Sequence, residues 1–194
     1  MKAEKNADGT QVLYTYGAIT DAADPLVGCS TVTRHLKGVG ETAPSLFQST
    51  EIRDQQGRTV KTLAPNPSTE TGMPYVATTY AYEVLPSGGT RTTQTNPDGS
   101  TRVTETYRDG KTRLVAGTAV APSFHTYGPL SNKTYAGIAA FADVEWTETL
   151  RNIEGRTVQV NQSVAKSATE TTIASTLYTY DANGELKAVT NPDG

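Results

Sequence analysis

The sequence predicts an all-β protein, an open antiparallel meander of hairpins, and three observations predict it. Threonine accounts for 33 of the 194 residues, and its branched β-carbon packs well on a pleated surface while restricting χ1 in a helix. Tyrosines recur two apart, at Tyr14/Tyr16, Tyr80/Tyr82 and Tyr178/Tyr180, so each pair stands on one face of a strand. Short glycine-bearing turns separate these runs at hairpin spacing.

Taken in order, residues 1–46 are the least regular, with Val12 to Tyr16 as the best strand and Pro25, Gly28, Gly38, Gly40 and Pro44 as punctuation. Residues 47–67 predict a hairpin around Gly57, ended by Pro65-Asn66-Pro67. A dense meander follows, with strands over Tyr75 to Leu85, Thr90 to Thr95, Thr101 to Tyr107 and Thr112 to Ala116. Residues 119–143 form a connector, within which Tyr135 to Asp143 suits either a short helix or a strand; Gly137 weakens both. Residues 144–163 predict a hairpin around Gly155, and 172–190 predict the last one. The domain organisation is therefore an irregular segment or degenerate repeats over 1–46, hairpin repeats over 47–118, the connector 119–143, and repeats over 144–194 expected to continue past this chain.

The turns repeat. Thr95-Asn96-Pro97-Asp98-Gly99 is identical to Thr190-Asn191-Pro192-Asp193-Gly194. Weaker echoes run through Asp54 to Val60 (with Gly57-Arg58), Asn152 to Val158 (with Gly155-Arg156), Arg108 to Leu114 and Ser87 to Arg91. Asn183-Gly184 supplies the positive φ that a tight hairpin turn needs, at no steric cost to Gly. In Asn-Pro-Asp-Gly, Pro presets φ at the second position and Gly closes a type I turn. Two turn types at opposite strand ends are expected. Arg58, Lys111, Arg156 and Arg102 follow turns and are expected to pair with acids on adjacent strands.

Tyr178-Thr-Tyr180-Asp181-Ala-Asn-Gly184-Glu-Leu186 followed by Asn191-Pro192-Asp193-Gly194 resembles the YD repeat of bacterial Rhs proteins, which is related to repeats in toxin-complex shell subunits and teneurins. The resemblance is close over 176–194, good over 78–118, and extends to Trp146 to Arg156 and Thr50 to Arg58, about half of the chain. It implies a long curved sheet that closes into a shell around a C-terminal toxic domain. The expected partners are therefore further repeats and an enclosed domain of the same polypeptide, and the expected location is the bacterial surface or exterior. The resemblance brings no catalytic residue onto this chain, so no enzyme activity and no cofactor are expected.

Composition bounds the alternatives. Only 34 residues are Leu, Ile, Val or Phe, while ten are Tyr. That balance predicts a thin core spread along a sheet, with tyrosine rings supplying buried area. A net charge of −3 without a basic stripe offers nucleic acid no footprint. No run approaches the ~20 apolar residues of a membrane helix, and Met1-Lys2-Ala3-Glu4-Lys5 lacks the apolar stretch of a signal peptide. The single Cys29 excludes an internal disulfide.

The sharper motifs read as structural. Gly110-Lys111-Thr112 resembles the end of a phosphate-binding loop, but Glu105 stands where that loop needs Gly. Cys29 and His35 have no third orienting group as nucleophile and base, and His125 has no metal-ligand companion at useful spacing. Asp181, Asn183 and Glu185 alternate like the start of a calcium loop that is never completed. Asn132-Lys-Thr and Asn161-Gln-Ser fit the glycosylation sequon, which matters only in a secreted eukaryotic protein. Trp146, Tyr80 and Tyr82 carry the alternative function, an adhesive module that holds sugar rings against exposed aromatics. In that alternative, exposure of Trp146 or of the Tyr178/Tyr180 strip is expected; burial of all three rings favours a shell.

Overall fold

Alternation of threonine with larger side chains produces strands throughout a computed structural model that describes residues 2–40, 46–67, 74–140, 145–167 and 170–192. The strands are β1 (Lys2–Lys5), β2 (Gln11–Ala18), β3 (Ser30–Lys37), β4 (Leu46–Arg53), β5 (Thr59–Pro65), β6 (Tyr75–Val84), β7 (Thr90–Thr95) and β8 (Thr101–Thr106). They continue as β9 (Thr112–Ala116), β10 (Ser123–Tyr127), β11 (Ser131–Tyr135), β12 (Trp146–Arg151), β13 (Thr157–Ser167), β14 (Glu170–Tyr180) and β15 (Leu186–Thr190). No helix occurs among the described residues. The protein is an all-β antiparallel hairpin meander.

Contacts divide the chain into residues 1–82 with 93–100, and residues 83–92 with 101–194. In the first unit β1 to β6 pair in sequence order, each antiparallel to the next. In the second, β8 to β15 do the same. Register is set face by face: β3 and β4, for example, place Thr33 opposite Thr50 with their hydroxyls 3.0 Å apart.

The core is thin, as composition predicted. Among the described residues, Val12, Leu13, Cys29 and Ile52 are the buried apolar residues of the first unit, and Leu85 is that of the second. No side chain among those described is completely enclosed. Backbone ladders and cross-strand pairs therefore carry more of the fold than apolar burial does.

Two segments are more regular than their sequence suggested. Residues 1–46 contain three strands, because Asn6-Ala-Asp-Gly9-Thr10 forms a tight hairpin and residues 19–29 form a longer hydrogen-bonded connection. The span 119–143 holds β10 and β11, joined at Gly128, whose N–H donates to the Ser131 carbonyl at 2.8 Å. After Tyr135 the chain leaves the sheet: residues 136–140 are neither helix nor strand, and Phe141 to Asp143 lie outside the described residues. Asp193 and Gly194 lie outside them as well.

Candidate functional site

Seven hairpin connections among the described residues share one geometry: residues 6–10, 54–58, 85–89, 96–100, 107–111, 152–156 and 181–185. In each, the first N–H donates to the fifth carbonyl and the fourth N–H donates back to the first carbonyl, at 2.8–3.1 Å. The fourth residue is always Gly, with φ between 79° and 87°. This is a type I turn closed by a left-handed glycine. The expectation of two turn types is thereby corrected. Asn183 has no positive φ, and Asn96-Pro97-Asp98-Gly99 and Asp181-Ala-Asn-Gly184 make the same turn.

Two side-chain solutions stabilise that turn. Asp54, Asn152 and Asp181 occupy its first position, and one side-chain oxygen of each accepts the N–H groups of the third and fifth residues. Asp8, Asp98 and Asp109 occupy the third position and accept only from the fifth. Hydrogen bonds from Thr10 and Ser100 hold the Asp8 and Asp98 carboxyls below the ordinary value, and bonds from Lys111 do so for Asp109. Burial pushes Asp54 upward, but its bonds from Arg58 and Gln56 outweigh that and leave it lowered. The Asp181 carboxylate, which accepts the Asn183 and Glu185 N–H groups, thus serves a turn, as does the Gly110-Lys111-Thr112 sequence.

Four of these turns are followed by a β-bulge. Val60, Arg113, Val158 and Lys187 are each skipped in the pairing of β4/β5, β8/β9, β12/β13 and β14/β15. A bulge adds twist and re-aims its neighbours.

The cation that follows the glycine then meets a tyrosine on the next strand. The Arg58 guanidinium lies 4.6 Å from the Tyr82 ring centre, and the Tyr82 hydroxyl donates to the Thr59 carbonyl at 2.7 Å. Arg156 lies 5.6 Å from the Tyr180 ring, and Tyr180 donates to the Thr157 carbonyl at 2.7 Å. Both phenol-to-carbonyl bonds span 23 residues. Lys111 takes the same place beside Tyr127, at 5.3 Å, while the nearby Tyr107 hydroxyl bonds the His125 carbonyl. Burial pushes the Tyr82 phenol upward, against the opposing pull of Arg58.

The pairing expected for these cations is corrected. Arg58 binds Asp54 at 2.7 Å, Lys111 binds Asp109 at 3.1 Å and Arg156 binds Glu154 at 2.8 Å. All three acids belong to the cation's own turn, and Arg102 has no ion pair among the described residues. The tight turn brings its own acid within reach, so the apolar side of the cation is left to cover the tyrosine.

A second arrangement runs across the strands of the second unit, and no sequence signal marked it. Glu105 is 3% exposed. Arg91 binds one of its oxygens through Nε and Nη2 at 2.9 and 2.7 Å, and Arg113 binds the other at 2.7 Å. Arg91 also reaches Glu83 at 2.9 Å. The row continues with Arg113 beside Phe124, Phe124 beside Tyr135, and Lys133 3.5 Å from the centre of the Trp146 ring. Trp146 stands opposite Tyr135 and is half-buried, like Tyr80, Tyr82, Tyr178 and Tyr180. It lines a shallow concavity of about 470 Å³ with Tyr135, Glu145 and Gln162, and Tyr80 lines one of about 460 Å³ with Pro25 and Leu26.

The nucleophile and base candidates have structural surroundings. Cys29 is buried and free, and His35 packs edge-on against Phe47. His125 lies between Ser123 Oγ and Thr134 Oγ1, each at 3.1 Å, and burial lowers its pKa. Thr134 stands where a catalytic arrangement would place a carboxylate. No group of three or more His, Cys, Asp or Glu among the described residues is arranged to hold a metal ion. No described helix is long and apolar enough to cross a membrane.

Fold and turns together define a class of protein, an antiparallel β meander built on a recurring clasped hairpin. No family model matches the chain, and no curated protein does either.

Proposed function

We propose that the chain is a structural repeat segment of a large YD/Rhs-type protein, a stretch of wall that encloses a toxin or effector domain and performs no chemistry itself. The observation that carries this reading is the clasp. Gly57-Arg58-Thr59 with Tyr82, and Gly155-Arg156-Thr157 with Tyr180, repeat one set of contacts at the same 23-residue separation. Each tyrosine fastens its strand to the start of the preceding strand, just after that strand's entry turn, so a sheet can be extended by local contacts without a large core. Wall of this kind serves by exclusion: a closed surface keeps its cargo from its target until release. The partners are further repeats and an enclosed domain of the same polypeptide, at the bacterial surface or outside the cell.

Limited proteolysis of the parent protein, read by mass spectrometry before and after denaturation, tests the proposal. A C-terminal fragment that is already severed, yet stays bound and protected until denaturation, is the expected result. Repeats that survive with nothing sheltered behind them would sink it.

A second reading is carbohydrate binding, favoured by the concavity beside Trp146, where an indole and Tyr135 meet the polar Glu145 and Gln162. Aromatic faces with a polar rim suit a sugar ring. Glycan binding abolished by Trp146→Ala supports it; binding unchanged in that variant removes it.

A further inference from the structure

The tip of the β12/β13 hairpin carries a side chain that the turn does not use. Ile153 is 90% exposed, more than any other large apolar residue among those described. It holds the second position of the turn, whose backbone bonds join the first, fourth and fifth residues and whose side-chain acceptor is Asn152. The other six turns place Ala7, Gln55, Pro86, Pro97, Arg108 and Ala182 there, none of them a large aliphatic. Strands alternate in direction, so the β8/β9, β10/β11 and β12/β13 connections share one end of the sheet. They also touch: the Lys111 ammonium lies 5.3 Å from the Tyr127 ring centre, and the Arg151 N–H donates to the Leu130 carbonyl at 2.8 Å. Tyr127 and Leu130 are exposed too, at 39% and 45%. With Ile153, Lys111 and Arg151 they line a hollow of about 450 Å³.

Positive charge gathers at the same tips. Residues 107–111, 127–132 and 151–156 hold four cations and two acids, on a chain whose net charge is −3. Asp109 pairs with Lys111 and Glu154 with Arg156, which leaves Arg108 and Arg151 without an ion pair among the described residues. The Arg151 guanidinium bonds the Gly155 carbonyl at 3.0 Å, a neutral acceptor that leaves its charge uncompensated. Asp181 and Glu185 stand at the next tip, beyond Arg156 in strand order.

We propose that these three tips seat the protein on an anionic lipid bilayer. Ile153 and Leu130 dip below the headgroups, where their apolar surface leaves water. Tyr127 takes the interfacial level that its amphipathic ring favours. Arg108, Lys111 and Arg151 lie against lipid phosphates, drawn by the negative surface potential. A planar surface meets both aliphatic tips at once, whereas a peptide in the hollow between them would leave Ile153 in water. The seat goes beyond the shell reading and does not depend on it, because it rests on the tip chemistry of this chain alone.

Co-sedimentation of the full chain with phosphatidylcholine vesicles, with and without phosphatidylglycerol, tests it; far-UV circular dichroism shows that each variant folds. The wild type is expected to bind the phosphatidylglycerol vesicles more tightly, and added salt should weaken that binding. Ile153→Ser should weaken it about tenfold without changing any charge, and Ile153→Leu should retain it. Arg108→Gln/Arg151→Gln should also weaken it about tenfold and reduce its salt dependence. A wild type that fails to sediment with phosphatidylglycerol vesicles at low salt overturns the proposal. Binding undiminished in Ile153→Ser overturns it as well, since charge alone would then account for the attraction. So does displacement by inorganic phosphate at an ionic strength where chloride displaces nothing, which would mean that the hollow takes a free anion instead.

Discussion

Tyr180 donates its phenolic hydrogen to the backbone carbonyl of Thr157 at 2.7 Å, and Arg156, the residue before that threonine, lies against its ring. Tyr82 does the same with Thr59 and Arg58. Ring, hydroxyl and cation act together here: the hydroxyl fixes where the ring stops, and the guanidinium covers the exposed side.

The two clasps should therefore answer alike to the same substitutions. Tyr180→Phe keeps the ring and loses one hydrogen bond, so it should cost about 1 kcal/mol. Tyr180→Ala loses the ring as well and should cost about 2–3 kcal/mol. Tyr82→Phe and Tyr82→Ala should follow the same order. Urea unfolding measures all four, and a Phe variant as damaging as its Ala counterpart would contradict this division between ring and hydroxyl. A cycle of Arg156→Ala with Tyr180→Ala should show coupling of about 0.5–1 kcal/mol, the range of an exposed cation–π pair.

Glycines that share a φ should differ in what surrounds them. Gly57 and Gly184 have φ of 79° and 83°, so alanine at either meets the left-handed penalty of about 1–2 kcal/mol. A β-carbon at Gly57 would enter open space, whereas at Gly184 it would strike the Arg156 guanidinium. Gly184→Ala should therefore be the more damaging in thermal unfolding. The excess should vanish in the Gly184→Ala/Arg156→Ala double variant. Equal cost for the two single substitutions would show that Arg156 moves aside freely.

Much of this was legible because turn chemistry is local. The strands over 75–116 follow directly from the turns closed by Gly88, Gly99 and Gly110. β1 and β2 were open to the same logic: Asn6-Ala-Asp-Gly9-Thr10 carries the third-position aspartate of the turn at Asp98. β10 and β11 were hidden because they are short and punctuated by Pro122, Gly128 and Pro129. The clasp was legible only in pieces. A strand pattern names Arg156 and Tyr180, but bulges such as the one at Val158 decide which neighbours meet. The setting of Glu105 was harder still, since Arg91 and Arg113 reach it from two separate strands and Arg113 is itself the bulged residue.

That setting separates the removal of a carboxylate from the removal of its partners. Arg91 and Arg113 are 40% and 39% exposed at the side chain, so water can receive them when Glu105 is lost. Glu105→Ala should cost about 1–2 kcal/mol. Removing both arginines leaves a buried carboxylate unpaired and should cost about 3 kcal/mol or more. Denaturant titrations of Glu105→Ala and Arg91→Ala/Arg113→Ala decide the order, and the reverse order would mean that the carboxylate escapes to solvent. Because Glu105 is buried, the double variant's loss should change little with added salt.

His125 gives the fold a pH response above the carboxylate range. Burial lowers its folded-state pKa, so in the window between that value and the ordinary ~6.5 the unfolded chain binds more protons than the folded one. Its contribution to stability is therefore complete above about pH 6.5 and is lost as pH falls through the folded-state value. Protonation would make both ring nitrogens donors, so whichever of the Ser123 and Thr134 hydroxyls donates to the neutral ring would have to turn its hydrogen away and accept. The lowered aspartates Asp8, Asp54, Asp98 and Asp109 have the same sign but act lower, losing their contribution as pH falls below about 4. Calorimetry from about pH 7 down to about pH 5 isolates the histidine. The wild-type Tm should fall across that window, and His125→Gln should flatten the fall although its Tm at neutral pH is lower. An unchanged slope in His125→Gln would place the titrating group elsewhere in the chain.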